Sequence, residues 1–215
     1  LPHPVAGIGR LAQALERWLR PRGPGPLREL AGGLVLLLVT VATTVAVVYL
    51  LLAAARSLHP WAAAALEACL VGIALAGRSL GEAGRAVARC LDDGDLEGAR
   101  RAVAQLVSRD ATRLGPDEVV RAAVESVAEN TSDGFVAPLF YALIGGAPLA
   151  WAYKAVNTLD AMYGYRDRSN LYFGRAAARA DDVLNWLPAR LTAVLIAVAA
   201  AFGGLAGRRA WLAAW

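Results

Sequence analysis

The chain has 215 residues, 57% hydrophobic and only 19% charged, with mean hydropathy +0.44 and formal net charge +4. Soluble domains run about 45–50% apolar and about 25% charged, so this composition excludes a disordered or fibrous protein and points to a membrane setting. Lys154 is the only lysine among 22 basic residues; the arginines are scattered between apolar blocks, which gives nucleic-acid binding little support. Cys69 and Cys90 are too few for a disulfide framework or a metal knuckle. The chain opens Leu1-Pro2-His3-Pro4 without Met and reaches Trp215 inside an apolar stretch, so it reads as an internal piece of a longer protein.

Residues 30–55 carry no charge and lie between Glu29 and Arg56. About 20 apolar residues cross a bilayer, so this is the clearest transmembrane helix. An Arg-rich segment precedes it and no small-residue cleavage site follows, which excludes a signal peptide. Residues 57–77 form a second membrane candidate, interrupted only by His59 and Glu67, and a hairpin turn is expected around residues 56–60. Residues 78–133 differ, with 8 arginines and 11 acidic residues among helically spaced apolar positions. Amphipathic helices are predicted over 80–91 and 96–107, joined by Asp92-Asp93-Gly94-Asp95, whose last residue suits an N-cap. A third opens at Pro116, with Asp117 and Glu118 in its first turn, and is expected to stop at Gly134. Residues 134–153 are uncharged again but hold Gly134, Gly145, Gly146, Pro138 and Pro148, which predicts a broken or re-entrant helix buried in protein. Residues 154–190 are polar and aromatic, and 191–207 form a last membrane helix. The fold class is therefore all-α: a polytopic helical membrane protein with a cytoplasmic helical segment, in a single membrane-embedded domain over 1–215.

Three clusters hold the chemistry. At about 100° per residue, Glu118, Arg121, Glu125, Glu129 and Ser132 fall within about 80° of one face. Two carboxylates four residues apart suit a hard cation such as Mg²⁺, completed by water and phosphate; the competing reading is a solvated face with an Arg121–Glu125 ion pair. The helical wheel places Asn130 on the apolar side, where a polar group needs a specific partner. In the second cluster Lys154, Asn157, Thr158 and Tyr165 share a stripe, and Asp160 sits near the apolar flank. A lone lysine among arginines suits a compact charge at a phosphate, or a juxtamembrane anchor. In the third, Asp181, Asp182 and Asn185 share one side of a turn that Pro188 ends or kinks; they bind a cation, or Asp181 caps the next helix. Trp151, Tyr153, Tyr163, Tyr165, Tyr172, Phe173 and Trp186 form an interfacial belt or wall a pocket for a large flat ligand. With only His3 and His59, no His-based zinc site or Ser-His-Asp triad is expected, and neither a Walker A loop nor GxGxxG occurs.

On these residues the chain resembles the CobD/CbiB family of cobalamin-biosynthesis membrane proteins, the adenosylcobinamide-phosphate synthases. The resemblance rests on His3-Pro4-Val5 with Ile8-Gly9-Arg10, on Ser108-Arg109-Asp110, and on residues 121–141, 155–166 and 181–190, so it covers nearly the whole chain. The Glu-Ser-Val-Ala-Glu-Asn-Thr-Ser-Asp-Gly run of 125–134 is the most specific part. Family members add a membrane helix before the His-Pro motif and continue beyond the position of Trp215.

The resemblance implies a ligase that joins aminopropanol, or its phosphate, to the free propionate carboxylate of cobyric acid, giving cobinamide or its phosphate. A carboxylate does not form an amide in water unactivated, so ATP with Mg²⁺ is expected, through an acyl phosphate or acyl adenylate. A base must also keep the attacking amine neutral. Expected catalytic residues are Glu125, Glu129, Asn130, Asp133, Lys154, Asn157 and Asp160. Arg121, Ser132, Tyr165, Arg166, Asn185, Trp186 and Arg190 are expected to bind substrate, and Glu125, Glu129, Asp181 and Asp182 to hold the metal. Expected partners are the corrinoid, the amine and the bilayer, with a homo-oligomer or a complex with other membrane enzymes of the pathway open. A transporter would show repeated halves, which are absent, and a non-catalytic regulator would not need three polar clusters.

Positive-inside counting puts Arg10, Arg17, Arg20, Arg22 and Arg28 in the cytoplasm, and the hairpin returns residues 78–133 to the same side of the inner membrane. Six basic residues in 154–190 argue that this segment also stays there. Ser169→Cys is expected to resist a membrane-impermeant thiol reagent in intact cells and to be labelled in inverted vesicles; the reverse pattern overturns the topology.

Overall fold

The computed structural model describes residues 4–20, 25–75, 77–107, 110–165 and 170–202. Among them the chain forms eight α-helices and one π-turn, and no strand. Three helical runs are long and apolar enough to cross a membrane: Pro26–Leu58, Pro116–Tyr163 and Arg175–Phe202. Contacts divide the chain into two compact units, one from residues 1–74 and 137–186 and the other from 75–136 and 187–215.

In the first unit α1 (Pro4–Leu19) is amphipathic, with Ile8 and Ala12 buried. The charge pattern of this Arg-rich stretch does not announce a helix. After Gly25, α2 (Pro26–Leu58) opens on a proline, which suits a first-turn position because its missing N–H has no helical partner there. Its 33 residues are apolar on all sides, yet only Gly33, Leu36, Leu37, Thr40, Thr44 and Val48 are buried, a single stripe at helical spacing. The opposite side exposes Leu34, Leu38, Tyr49 and Leu50, as a lipid-facing helix does. His59, extended at φ −165°, closes α2, and Pro60 opens α3 (Pro60–Ala74), so the expected hairpin turns at His59. α3 has 15 residues, short of the roughly 20 that span a bilayer.

α7 (Ala137–Tyr163) is broken at Gly145 and Gly146, where φ/ψ leave the helical region. Gly146 has φ +65°, a conformation costly to any residue with a Cβ, and a Cβ there would also overlap the Glu67 carboxylate. The second half of α7 starts afresh: Ala147 donates its N–H to Glu67 Oε1 at 3.3 Å, and Pro148 occupies the first turn. The Glu67 carboxylate thus takes up a freed donor at the positive end of a half-helix. Trp151, 3% exposed, donates its indole N–H to the Leu70 carbonyl at 3.0 Å. Two apolar clusters complete this unit: Leu36, Leu37, Val156, Leu159, Tyr163 and Phe173 in one, and Ile8, Val48, Ala74, Ala147, Trp151 and Ala155 in the other.

The second unit holds α4 (Gly77–Asp92), α5 (Leu96–Val103), α6 (Pro116–Thr131) and the π-turn Ser132–Val136. Val87, Ala99, Val103, Val119 and Ala122 form its core. Asp95 caps α5 by accepting from Gly98 N–H at 2.7 Å. Glu118 reaches back to the Gly115 N–H at 2.7 Å, fixing the start of α6.

Three local expectations are corrected. α6 does not stop at Gly134; its α-geometry ends at Thr131 and widens into the π-turn, which carries Gly134 inside it. α5 ends at Val103, because residues 104–106 tighten into turns closed by Gln105 N–H to Ala102 O and Leu106 N–H to Val103 O. The last helix, α8 (Arg175–Phe202), starts well before residue 191 and runs through Pro188, so Asp181 is an interior residue and not a cap.

Gly33 lies where α2 meets the backbone of Phe173, and a Cβ there would overlap the Phe173 carbonyl, whereas a Cβ at Gly72 meets nothing within 4 Å. Gly33→Ala is expected to cost about 1–3 kcal/mol by overpacking, and Gly72→Ala to be neutral or stabilising by up to about 1 kcal/mol. Thermal unfolding of the detergent-solubilised protein checks both; equal midpoints would contradict the close approach.

Candidate functional site

In the first unit the second and third sequence clusters come together. α7 and the start of α8 face each other across a run of polar side chains between residues 141 and 185. Asp181, 9% exposed, lies at its centre. Asn185, one turn along α8, donates Nδ2–H to Asp181 Oδ2 at 2.8 Å, and Asn157 of α7 donates to Oδ1 at a longer 3.4 Å. Lys154 stands within electrostatic range of the same carboxylate. The Tyr153 hydroxyl, itself buried, donates to Asn185 Oδ1 at 2.9 Å. Tyr153 stacks on Tyr141 with ring centroids 5.3 Å apart and planes 16° from parallel. Tyr141 donates its hydroxyl to the Leu184 carbonyl at 2.9 Å. That carbonyl lies four residues before Pro188, which has no N–H to give it, so the tyrosine replaces the missing helical donor.

Asp181 and Asp182 diverge despite being adjacent. Asp182 is exposed and lies 3.7 Å from Arg179 at the helix surface, so one carboxylate is interior and the other solvated. Asp160 is half-buried one turn beyond Asn157. Tyr165 and Trp186 are exposed, at 56% and 60%, whereas Trp151, Tyr153, Tyr163 and Phe173 belong to the interior. Those four therefore pack the fold. Tyr163 instead donates to Glu16 Oε2 at 2.8 Å, and Arg20 pairs with Glu16 at 2.8 Å, donates to Asn170 at 2.7 Å and lies over the Phe173 ring. This clasp ties α1 to the end of α7. Arg166 lies outside the described residues, as do His3, Ser108, Arg109 and Ser169.

The second unit carries the first sequence cluster. Arg121 and Glu125 pair at 2.8 Å on the exposed face of α6, and Glu129 is exposed one turn on. Asn130 is exposed and donates to the Ser126 carbonyl at 2.8 Å and to its hydroxyl at 3.2 Å, so its partner lies within its own helix. Ser126 in turn donates to the Leu106 carbonyl at 2.6 Å, tying α6 to the turn after α5. Ser132 is buried in the π-turn, and Asp133 and Arg190 are half-buried. Asp110 accepts from the backbone N–H and the hydroxyl of Thr112, which hold its carboxyl below the usual range. Among the described residues no three His, Cys, Asp or Glu side chains converge on a metal-binding point.

The family model described as CobD/Cbib protein matches residues 1–215, the whole chain. The chain belongs to the CobD/CbiB family. It is 49% identical over 211 residues to a cobalamin biosynthesis protein CobD of Geobacter metallireducens, covering 98% of this chain and 65% of that one. It is 45% identical over 214 residues to cobalamin biosynthesis proteins CbiB of Salmonella typhi and CobD of Klebsiella pneumoniae, covering all of this chain and 67% of theirs. The chain thus spans about two thirds of the length of these curated relatives. No solved structure matches it.

Within this CobD/CbiB chain sequence reasoning missed Tyr141 and named Tyr153 only as a belt or pocket-wall aromatic, whereas both hydroxyls donate between helices. Their signal was available only indirectly, in a proline on one helix and an asparagine four residues after an aspartate. The two carboxylates of α8 should behave differently. Asp181→Ala leaves two amide donors without their acceptor and is expected to cost about 1–3 kcal/mol. Asp182→Ala is expected to change stability by no more than about 0.5 kcal/mol. Equal shifts in thermal midpoint for the two variants would contradict the interior position of Asp181.

Proposed function

We propose that this chain is the membrane-embedded part of a ligase of cobalamin biosynthesis, joining aminopropanol or its phosphate to the propionate carboxylate of cobyric acid. Membership of the CobD/CbiB family and the printed names of the relatives support the pathway. The observation that carries the reading to a reaction is the polar group around Asp181. An interior carboxylate with two amide donors and a nearby lysine is expensive in an apolar helix pair, and such residues are kept where they work on a substrate. A transporter or a non-catalytic regulator finds no comparable support.

Amide formation must expel one carboxylate oxygen, a poor leaving group unless it departs within phosphate or AMP. ATP with Mg²⁺ supplies that activation when bound. Such an ion takes one or two protein carboxylates and completes its shell with water and phosphate. Of the carboxylates expected to hold it, Glu125 and Glu129 lie one turn apart on the exposed face of α6, and Asp181 and Asp182 are adjacent on α8. Lys154 supplies a compact positive charge for phosphate oxygens, with Arg166 as a further cation. A carboxylate of these clusters takes the amine proton. The exposed rings of Tyr165 and Trp186 offer apolar surface to the corrin. We place the protein in the inner membrane as a multi-pass protein with these groups on the cytoplasmic side, where ATP is available.

The test uses the full-length membrane protein with cobyric acid, ATP, Mg²⁺ and either amine, with mass spectrometry for the amide. Product that depends on nucleotide is expected, and Glu129→Gln should accumulate in membranes while losing most of it. Product without nucleotide, or none from either amine, overturns the proposal.

A further inference from the structure

We infer that Tyr153 is a positioning residue: its hydroxyl holds the Asn185 amide so that Asn185 presents an N–H to Asp181, fixing that carboxylate for the reaction proposed above, on which this inference rests. Asn185 turns its NH₂ end to the Asp181 carboxylate, whose oxygen accepts from it. The contact is 2.8 Å to Oδ2, against 3.4 Å for the bond from Asn157, so Asn185 is the tighter of the two tethers. The other end of the same amide is then a carbonyl that needs a donor, and the Tyr153 hydroxyl meets it at 2.9 Å.

Tyr153 is 1% exposed and its ring is clamped by stacking on Tyr141, so its hydroxyl is held in place against that carbonyl. Removing the hydroxyl leaves the Asn185 carbonyl facing the edge of an apolar ring. The amide then turns to find another partner and takes its N–H off Asp181. Tyr141 is the matched comparison. It carries the same ring in the same stack and stands within electrostatic range of Asp181, but its one hydroxyl proton goes to the Leu184 backbone carbonyl, where the bond repairs the helix at Pro188 and holds no amide of the Asp181 group.

The experiment measures amide formation by the full-length protein in steady state, with thermal midpoints beside it. Tyr153→Phe is expected to lower kcat about tenfold while the KM for the corrinoid stays within about twofold. Tyr141→Phe should lower the thermal midpoint by a similar amount and leave kcat within about twofold. Asn185→Leu should lower kcat, and adding Tyr153→Phe to it should cost nothing further if the hydroxyl acts on the reaction through that amide. An unchanged kcat in Tyr153→Phe overturns the inference, as do equal losses in the two tyrosine variants or additive losses with Asn185→Leu. Failure of Tyr153→Phe alone to accumulate in membranes assigns the hydroxyl to folding and also overturns it. Absence of product from the wild-type protein instead overturns the reaction itself.

Discussion

A polar group freed inside an apolar helical protein has no water to turn to, and the fold of the first unit depends on how each such group is met. Two breaks in helical hydrogen bonding are built into the chain. The Gly145–Gly146 break frees the amide that starts the second half of α7, and the Glu67 carboxylate receives it. Pro188 leaves the Leu184 carbonyl without its helical donor, and the Tyr141 hydroxyl supplies one. In both cases the repair comes from a different helix, so the defect in one element becomes a specific link to another. Apolar packing among helices that are hydrophobic on all sides gives little orientational preference. Directional bonds of this kind select one register.

The Asp181 group extends the same logic to side chains. Asn157, Asn185 and Tyr153 account for the carboxylate with one another's donors and acceptors, so an expensive group is held in one geometry. Such an arrangement rigidifies as long as every member is satisfied, and the loss of one hydroxyl propagates to the next residue. The second unit is built differently. Its core is formed by small and branched apolar residues of amphipathic helices, and charges such as Arg121, Glu125 and Asp95 lie on the solvated face of α6 or at a helix cap. The π-turn at Ser132–Val136 interrupts regular α-geometry within the most specific stretch of the family resemblance, and π-turns of this kind recur at functional positions.

The length and uniform hydropathy of residues 30–55, the Asp95 cap, the Pro116 start and the Gly/Pro content of 134–153 were enough to predict an all-helical membrane protein with a broken helix. These features are local: each depends on the chemistry of a few neighbouring residues, which folding does not alter. The family, too, was legible, because the motif of residues 125–134 is a matter of residue order alone. Helix ends were less legible. Gly134 reads as a stop in isolation but is absorbed by a π-turn, and Asp181 reads as a cap although α8 has already begun at Arg175.

Only the tertiary structure decided which polar residues are interior and which partner each one takes. Adjacent Asp181 and Asp182 carry the same chemistry, yet one is enclosed by α7 and the other is solvated. Trp151 and Tyr163 have the same composition signal as Trp186 and Tyr165, but the first pair packs the core and the second is exposed. The links from Tyr153 to Asn185 and from Glu67 to Ala147 join positions 32 and 80 residues apart. No periodicity encodes such a pairing. It exists because burial removes water, and each group must then be met by whatever the packing of other helices brings within reach.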